Sequence, residues 1–194
     1  MKTIPRRIFT ICLENEIPKK LYENTAEWKK VLTDFEVNIV GRKEAYEISN
    51  YHPYLAQALA DSKWKDASDY LRLILLFSMG GVYIDSDVKI LKSFDTLLEN
   101  EAFILKNKEG MIYDTVIGIT PRHKLLEIIL ATLTFYFYGN DGVDNITKGV
   151  SLINQILLKT DYSEKKDSTE TELVTHHNIA IVAPKDHIEI FQNE

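Results

Sequence analysis

Gly80-Gly81-Val82-Tyr83-Ile84-Asp85-Ser86-Asp87 is the stretch that decides how the rest of the chain reads. The two glycines stop a preceding helix, Val82–Ile84 forms a short buried strand, and two acids stand at the strand's end. In an extended chain the i, i+2 spacing puts the Asp85 and Asp87 carboxylates on one side and Ser86 on the other. Two such charges about 4 Å apart repel by roughly 4 kcal/mol at an effective dielectric of about 20, and a shared cation removes that cost. Carboxylate oxygens suit Mg2+ or Mn2+, which keep waters and take substrate phosphates as their remaining ligands. In open α/β sheets, ligands bind beyond the carboxyl ends of strands, where this pair falls. An isolated Asp-x-Asp is most often a solvated loop. The Gly-Gly pair, the apolar strand and the helix before it set this one apart.

That helix is expected over Asp66–Met79, with Ala67, Tyr70, Leu71, Ile74, Leu75 and Phe77 as its apolar set. Asp66 is the expected cap, with Asp69 in the first turn, where carboxylates suit the helix dipole. Asp69 and Arg72 share a helix face. The spacing alone reads as a surface ion pair worth under about 1 kcal/mol. The alternative is a ligand site in which Asp69 accepts from sugar or base groups and Arg72 donates to a phosphate or sugar oxygen.

Further out, Arg7–Leu13 reads as a strand, Lys20–Leu32 as a helix with Leu21, Trp28, Val31 and Leu32 apolar, and Phe35–Val40 as a strand of period two. Strand, helix, strand at this spacing implies a parallel βαβ unit. Tyr54–Ser62 reads as helical. Val88–Leu91 resumes an extended course, Ala102–Leu105 and Thr115–Ile119 are further strands, and Pro121-Arg122-His123 leads into a helix over Lys124–Phe137. Asn140–Asn145 reads as a loop, and Val150–Leu158, led by Lys148-Gly149, as a helix. Asp161–Glu172 is a polar loop, and Ile179–Ala183 a last strand ended by Pro184. The expected fold is α/β, with a mixed, mostly parallel central sheet flanked by helices.

The 194 residues suit one compact domain. With 45% hydrophobic and 27% charged residues the composition is that of a globular protein, not a disordered one. The net charge is −6, and Lys and Arg form no basic stripe, which argues against nucleic acid as a partner. A phosphate-bearing ligand is repelled by that overall charge, so a local cation helps it bind. The single cysteine, Cys12, excludes an intramolecular disulfide and fits a reducing compartment. In its apolar run it reads as a buried, inert thiol. Lys2, Arg6 and Arg7 are not followed by the long apolar stretch of a secretory signal. Leu71–Phe77 and Leu125–Phe137 fall short of a membrane span of about 20 residues. The expected location is cytoplasmic, compatible with peripheral contact at the membrane inner face.

Taken together, Lys63-Trp64-Lys65-Asp66-Ala67-Ser68-Asp69-Tyr70-Leu71-Arg72-Leu73 and Gly80–Asp87 resemble the signature of glycosyltransferase family 32. That family includes the yeast initiating α-1,6-mannosyltransferase, vertebrate α-1,4-galactosyl- and α-1,4-N-acetylglucosaminyltransferases, and bacterial capsule and surface-polysaccharide enzymes. Ile4-Pro5-Arg6 resembles the family's opening Ile-Pro-Lys strand and Ala26-Glu27-Trp28-Lys29 its first helix. Phe103-Ile104, and Ile117-Gly118 with His123, resemble its later segments. The resemblance covers roughly the first 160 residues and is specific as an ensemble of motifs.

The resemblance implies a GT-A fold, that is, a Rossmann-like nucleotide-diphospho-sugar transferase fold, with residues 1–194 as a single catalytic domain. It implies a UDP- or GDP-sugar donor, a Mn2+ or Mg2+ ion, and a glycan or lipid-linked acceptor, in surface or capsular polysaccharide synthesis. It also implies retention of configuration, by front-face displacement through an oxocarbenium-like transition state. Asp85 and Asp87 are then the catalytic, metal-holding pair. Asp69 and Arg72 line the donor-sugar pocket, Tyr83 and Ser86 count among the donor-binding positions, and Gly80 and Gly81 permit close packing beneath the site. The first strand lies beside the nucleotide base.

The chain departs from the family in places. Phe9 and Cys12 stand where His and Trp are common, which points to altered base recognition. Tyr113 and Asp114 replace Asn residues before Ile-Gly; Asp114 reads either as facing donor or acceptor or as a surface acid. The C-terminal part is short, without the family's His-small-Trp ending, so a third metal ligand from there is missing or replaced. His176, His177 and His187 are the candidates, but a lone histidine near a C-terminus is more often exposed than ligating, and they stay outside the site. One competing reading is a non-catalytic or incomplete nucleotide-sugar-binding remnant. A weaker one is an Asp-x-Asp phosphatase of the haloacid-dehalogenase type; such enzymes carry Thr or Val two places after the second Asp, where this chain has Lys89.

Overall fold

The computed structural model describes residues 3–106, 112–139, 172–174, 179–182 and 188–190. The chain opens with the expected βαβ unit: β1 (Arg7–Ile11), α1 (Lys19–Val31) and β2 (Glu36–Val40). β1 and β2 run parallel, Arg7 facing Glu36 and Ile11 facing Val40. Three helices follow, α2 (Arg42–Ser49), α3 (Pro53–Ala60) and α4 (Trp64–Met79). They carry the chain back across the sheet, so that β3 (Gly81–Ile84) pairs parallel with the other side of β1. Sheet growth thus reverses direction at β1, a topological switch point, and a crevice opens beyond the carboxyl ends of β1 and β3.

The remaining elements are β4 (Val88–Ile90), β5 (Ala102–Lys106), β6 (Ile112–Ile119), α5 (Lys124–Tyr138), β7 (Glu172–Val174), β8 (Ile179–Val182) and β9 (Ile188–Ile190). The main sheet has the order β2-β1-β3-β6-β5-β8-β7. β6 is antiparallel to β3 and β5, β7 is antiparallel to β8, and the other neighbours are parallel. Five of the seven strands therefore point one way, which is the mixed, mostly parallel sheet expected.

Both faces of the sheet are covered, which is why its central strands are apolar throughout rather than alternating. Phe9, Tyr83, Ile104 and Ile117 join Leu71, Ile74, Leu75, Leu126 and Ile129 of α4 and α5 in one core. Ile8, Val82, Ile84, Phe103 and Val116 join Trp28, Leu32 and Phe94 in the other. Neighbouring residues of β3 thus serve opposite cores. Among the described residues, no helix is long and apolar enough to cross a membrane.

Several expectations need correction. Asp66 does not cap α4: the helix begins at Trp64, Lys63 occupies the cap without a side-chain bond, and Asp66 lies in the first turn, where the dipole still favours it. α2 was not anticipated, because only Ala45 and Ser49 of its eight residues are buried and the apolar periodicity is too sparse to signal a helix. The extended Val88–Leu91 segment is not part of the main sheet; as β4 it pairs antiparallel with β9 in a separate two-stranded sheet. The expected loop Asn140–Asn145, Lys148-Gly149 and the helix Val150–Leu158, the polar run from Asp161 to Thr171, Ala183, Pro184, His176, His177 and His187 lie outside the described residues. Tyr113 and Asp114 fall in β6, with their side chains outside the described set.

Candidate active site

The acids sit where the crevice opens. Beyond Ile84 the chain does not stay extended, contrary to the alternation argument. The Asp85 N–H donates to Thr115 O at 2.8 Å, and the Val88 N–H donates back to Asp85 O at 3.2 Å. Asp85-Ser86-Asp87-Val88 is therefore a β-turn. The turn geometry, not strand pleating, now sets the direction of the carboxylates. Both are half-buried while Ser86 is exposed.

α1 fastens this turn from the side. Asn24 Nδ2 donates to Ser86 O at 2.7 Å, and Trp28 Nε1 donates to Val88 O at 2.8 Å. The two residues stand one helical turn apart, so one face of α1 clamps the turn at its second and fourth residues. Trp28 read as an apolar core residue and Asn24 not at all. The i, i+4 pairing of two side-chain donors was the only signal for them.

From the opposite core, α4 delivers a chain of polar groups. Arg72 Nη2 donates to Asp69 Oδ1, the Arg72 guanidinium lies 5.1 Å from the centre of the Tyr83 ring, and the Tyr83 hydroxyl donates to Asp85 Oδ1 at 2.5 Å. Burial first, and then the charge of Asp85, pushes the Tyr83 phenol well above its ordinary value. It stays protonated and acts as a donor. The spacing of Asp69 and Arg72 alone favoured an exposed surface pair, but the pair is partly buried: the Arg72 side chain is 5% exposed and that of Asp69 21%. Arg72 therefore acts from beneath, holding Asp69 and backing Tyr83, and Asp69 is the partner nearer solvent.

Gly80 and Gly81, counted among the donor-binding positions for the close packing they permit, are packed tightly against neighbouring backbone. They stand at the amino end of β3, away from the acids. A Cβ on Gly80 would lie 2.5 Å from Pro121 Cδ, and one on Gly81 2.6 Å from Arg7 O, with positive φ at both. Their role is close backbone packing. Tyr83, the other strand position counted as donor-binding, bonds Asp85 through its hydroxyl.

Two adjoining clefts meet at the loop after β1. The smaller, about 260 Å3, is lined by Cys12, Leu13, Glu14, Asn24, Ser86 and Asp87 among others. The larger, about 730 Å3, is lined by residues including Leu13, Glu14, Asn15, Arg42, Trp64 and Ser68. Cys12 is buried, as its apolar surroundings implied.

The donor chemistry fits a hard divalent cation: two half-buried carboxylates on one turn, Asp85 and Asp87, of which Asp87 lines the smaller cleft. Among the described residues no group of three or more His, Cys, Asp or Glu could hold a metal. Such an ion would take its other ligands from water and a phosphate-bearing substrate, the usual habit of Mg2+.

A switch-point crevice with an acidic turn at the end of β3 is the architecture of the GT-A fold, which similar solved glycosyltransferase domains share. Residues 14–104 match the family model described as a glycosyltransferase sugar-binding region containing a DXD motif. The chain is similar to mannosyl phosphorylinositol ceramide synthase SUR1 of Saccharomyces cerevisiae, 27% identical over 135 residues, covering 69% of this chain and 35% of that protein. It is also similar to inositol phosphoceramide mannosyltransferase 3 of Schizosaccharomyces pombe, 25% identical over 138 residues, covering 70% and 39%. The chain thus spans little more than a third of the length of these curated relatives. Among solved structures, the PaToxG glycosyltransferase matches with a TM-score of 0.57 at 20% identity, over 81% of this chain and 75% of that one. The UDP-bound glycosyltransferase domain of the YGT toxin matches with a TM-score of 0.50 at 10% identity, over 78% and 68%. At these identities the two structures attest the fold.

Proposed function

We propose that this protein is a metal-dependent glycosyltransferase of the family 32 type, moving a sugar from a nucleotide-diphosphate sugar to a lipid-linked or glycan acceptor with retention of configuration. The observation that carries this reading is the placement of Asp85 and Asp87 on a clamped turn at the β1–β3 switch point, beside a cleft. Mannosyltransferase relatives named for inositol phosphoceramide favour a glycolipid acceptor over a capsular polysaccharide.

Asp85 and Asp87 would hold Mn2+ or Mg2+, which when bound supplies Lewis-acid neutralisation of the leaving diphosphate. Asn24 and Trp28 keep the turn from shifting as charge develops, so that the site is organised in advance. Tyr83 holds one oxygen of Asp85 by hydrogen bond and so fixes the rotamer of that carboxylate. Asp69, steadied by Arg72, would accept from hydroxyls of the donor sugar. The nucleoside extends from the smaller cleft toward the larger one, past Leu13 and Glu14.

The test is donor hydrolysis and transfer with UDP- and GDP-sugars in Mn2+ against EDTA. Turnover that EDTA abolishes and Asp87→Ala removes supports the proposal. Metal-dependent nucleotide binding without turnover in any donor would leave only the binding remnant, and cleavage of a generic phosphate ester would favour the phosphatase.

A further inference from the structure

We infer that the larger cleft selects a guanine base and that Glu16 is the side chain that reads it, an inference that rests on the nucleotide-sugar reading above. The two clefts share Leu13 and Glu14, so a nucleoside diphosphate with its phosphates beside Asp87 extends its base into the larger one. At about 730 Å3 that cleft is roomy for a single-ring base and accommodates a purine nucleoside.

Its wall is a flat cationic and aromatic surface. The Arg42 guanidinium lies 4.1 Å from the centre of the Trp64 ring. It is held in place by donating to Leu13 O through Nε at 2.9 Å and Nη2 at 2.5 Å, and to Asn15 Oδ1 through Nη1 at 2.5 Å. Planar bases stack on such surfaces. This platform sits on α2 and α4, and it supplies the planar group that Cys12 cannot offer at the end of β1.

The polar groups at the rim match one base edge. Because Arg42 fixes the Asn15 oxygen, the Asn15 amide nitrogen is turned the other way as a donor. Glu14 and Glu16 bring carboxylates, which only accept. Guanine offers this complement: the O6 acceptor beside the N1–H and N2–H donors, the latter two suited to one carboxylate. Uracil presents a single N–H between two carbonyls, which a carboxylate repels. Glu14 also borders the cleft of Asp87, where the diphosphate's charge lies, whereas Glu16 borders the larger cleft alone among the two. Glu16 is therefore the reader.

The test measures the affinities of GDP, IDP and UDP in the presence of Mn2+ by calorimetry. IDP lacks only the 2-amino group. Loss of a hydrogen bond to a charged acceptor predicts GDP binding roughly tenfold or more tighter than IDP, with UDP weaker than GDP. Glu16→Gln should bring the GDP-to-IDP ratio close to one, and Glu14→Gln should leave that ratio in place. UDP binding as tightly as GDP, or a ratio unchanged in Glu16→Gln, overturns the guanine assignment while leaving the metal–diphosphate site standing. Failure of all three nucleotides to bind overturns both.

Discussion

The Tyr83 hydroxyl donates to Asp85 Oδ1 at 2.5 Å, joining a residue of the central strand to the first acid of the turn after it. Alternation sends Tyr83 into the α4 side of the sheet, where Arg72 backs its ring. One bond therefore ties the acidic turn to the helix that carries Asp69. Tyr83→Phe keeps the packing and removes the donor. Stability should fall by about 1 kcal/mol, while the Mn2+ concentration needed for half-maximal nucleotide binding should rise several-fold. A metal titration followed by calorimetry checks both the direction and the retained stoichiometry.

Asp87→Asn removes one charge from a half-buried, solvent-facing turn and should leave the unfolding midpoint within about 0.5 kcal/mol of the parent. Mn2+-dependent stabilisation by a nucleoside diphosphate should disappear; at 100 times Kd it amounts to about 2.7 kcal/mol in the parent. Thermal unfolding with and without Mn2+ reads both, and a persisting metal-dependent shift would remove Asp87 from the ligand set.

Asp69→Asn takes the opposing charge from a guanidinium whose side chain is 5% exposed. Breaking a buried pair by neutralising one partner costs about 3 kcal/mol, well beyond what an exposed helix pair could lose. Urea unfolding separates the two: a change under about 0.5 kcal/mol would mark the pair as a surface one.

Gly81→Ala places a Cβ 2.6 Å from Arg7 O at a φ of +119°. The clash and the strained backbone both act on the β1–β3 pairing, and the loss should exceed about 2 kcal/mol. Gly118→Ala drives its Cβ to 2.0 Å from the Phe103 ring and should be comparably damaging. Chemical denaturation of the two variants is the measurement, with nucleotide affinity unchanged in whatever fraction folds.

Alkaline pH should unfold the protein steeply. Burial first, with carboxylate charge adding, raises the Tyr54 and Tyr83 phenols above the ordinary value of 10.0, and burial likewise raises Tyr70. In the unfolded chain these groups release their protons near pH 10, while the folded chain still retains them. Their contribution is complete below that pH and is lost as pH rises above it. The urea midpoint should drop between about pH 9 and about pH 11, less steeply in Tyr83→Phe.

The sequence alone determined the elements whose signal is local. The βαβ opening, the α4 helix ending at Gly80, the apolar β3 and the acids after it follow from periodicity, from helix-stopping glycines and from burial on both faces of a sheet. Those same residues made Asp85 and Asp87 legible as a candidate ligand pair, because the glycines and the apolar strand set them apart from an ordinary solvated Asp-x-Asp. The tertiary structure decided everything that depends on residues far apart in the chain. It converted Asp85–Asp87 from a strand into a turn, because Thr115 O captures the Asp85 N–H and Asn24 and Trp28 grip the turn from α1. It buried Arg72, pressed Gly80 against Pro121 and Gly81 against Arg7, and set Arg42 on Trp64. Spacing fixes which residues can share a face; only the packing of that face against a distant segment fixes whether a charge meets water, a partner or a substrate.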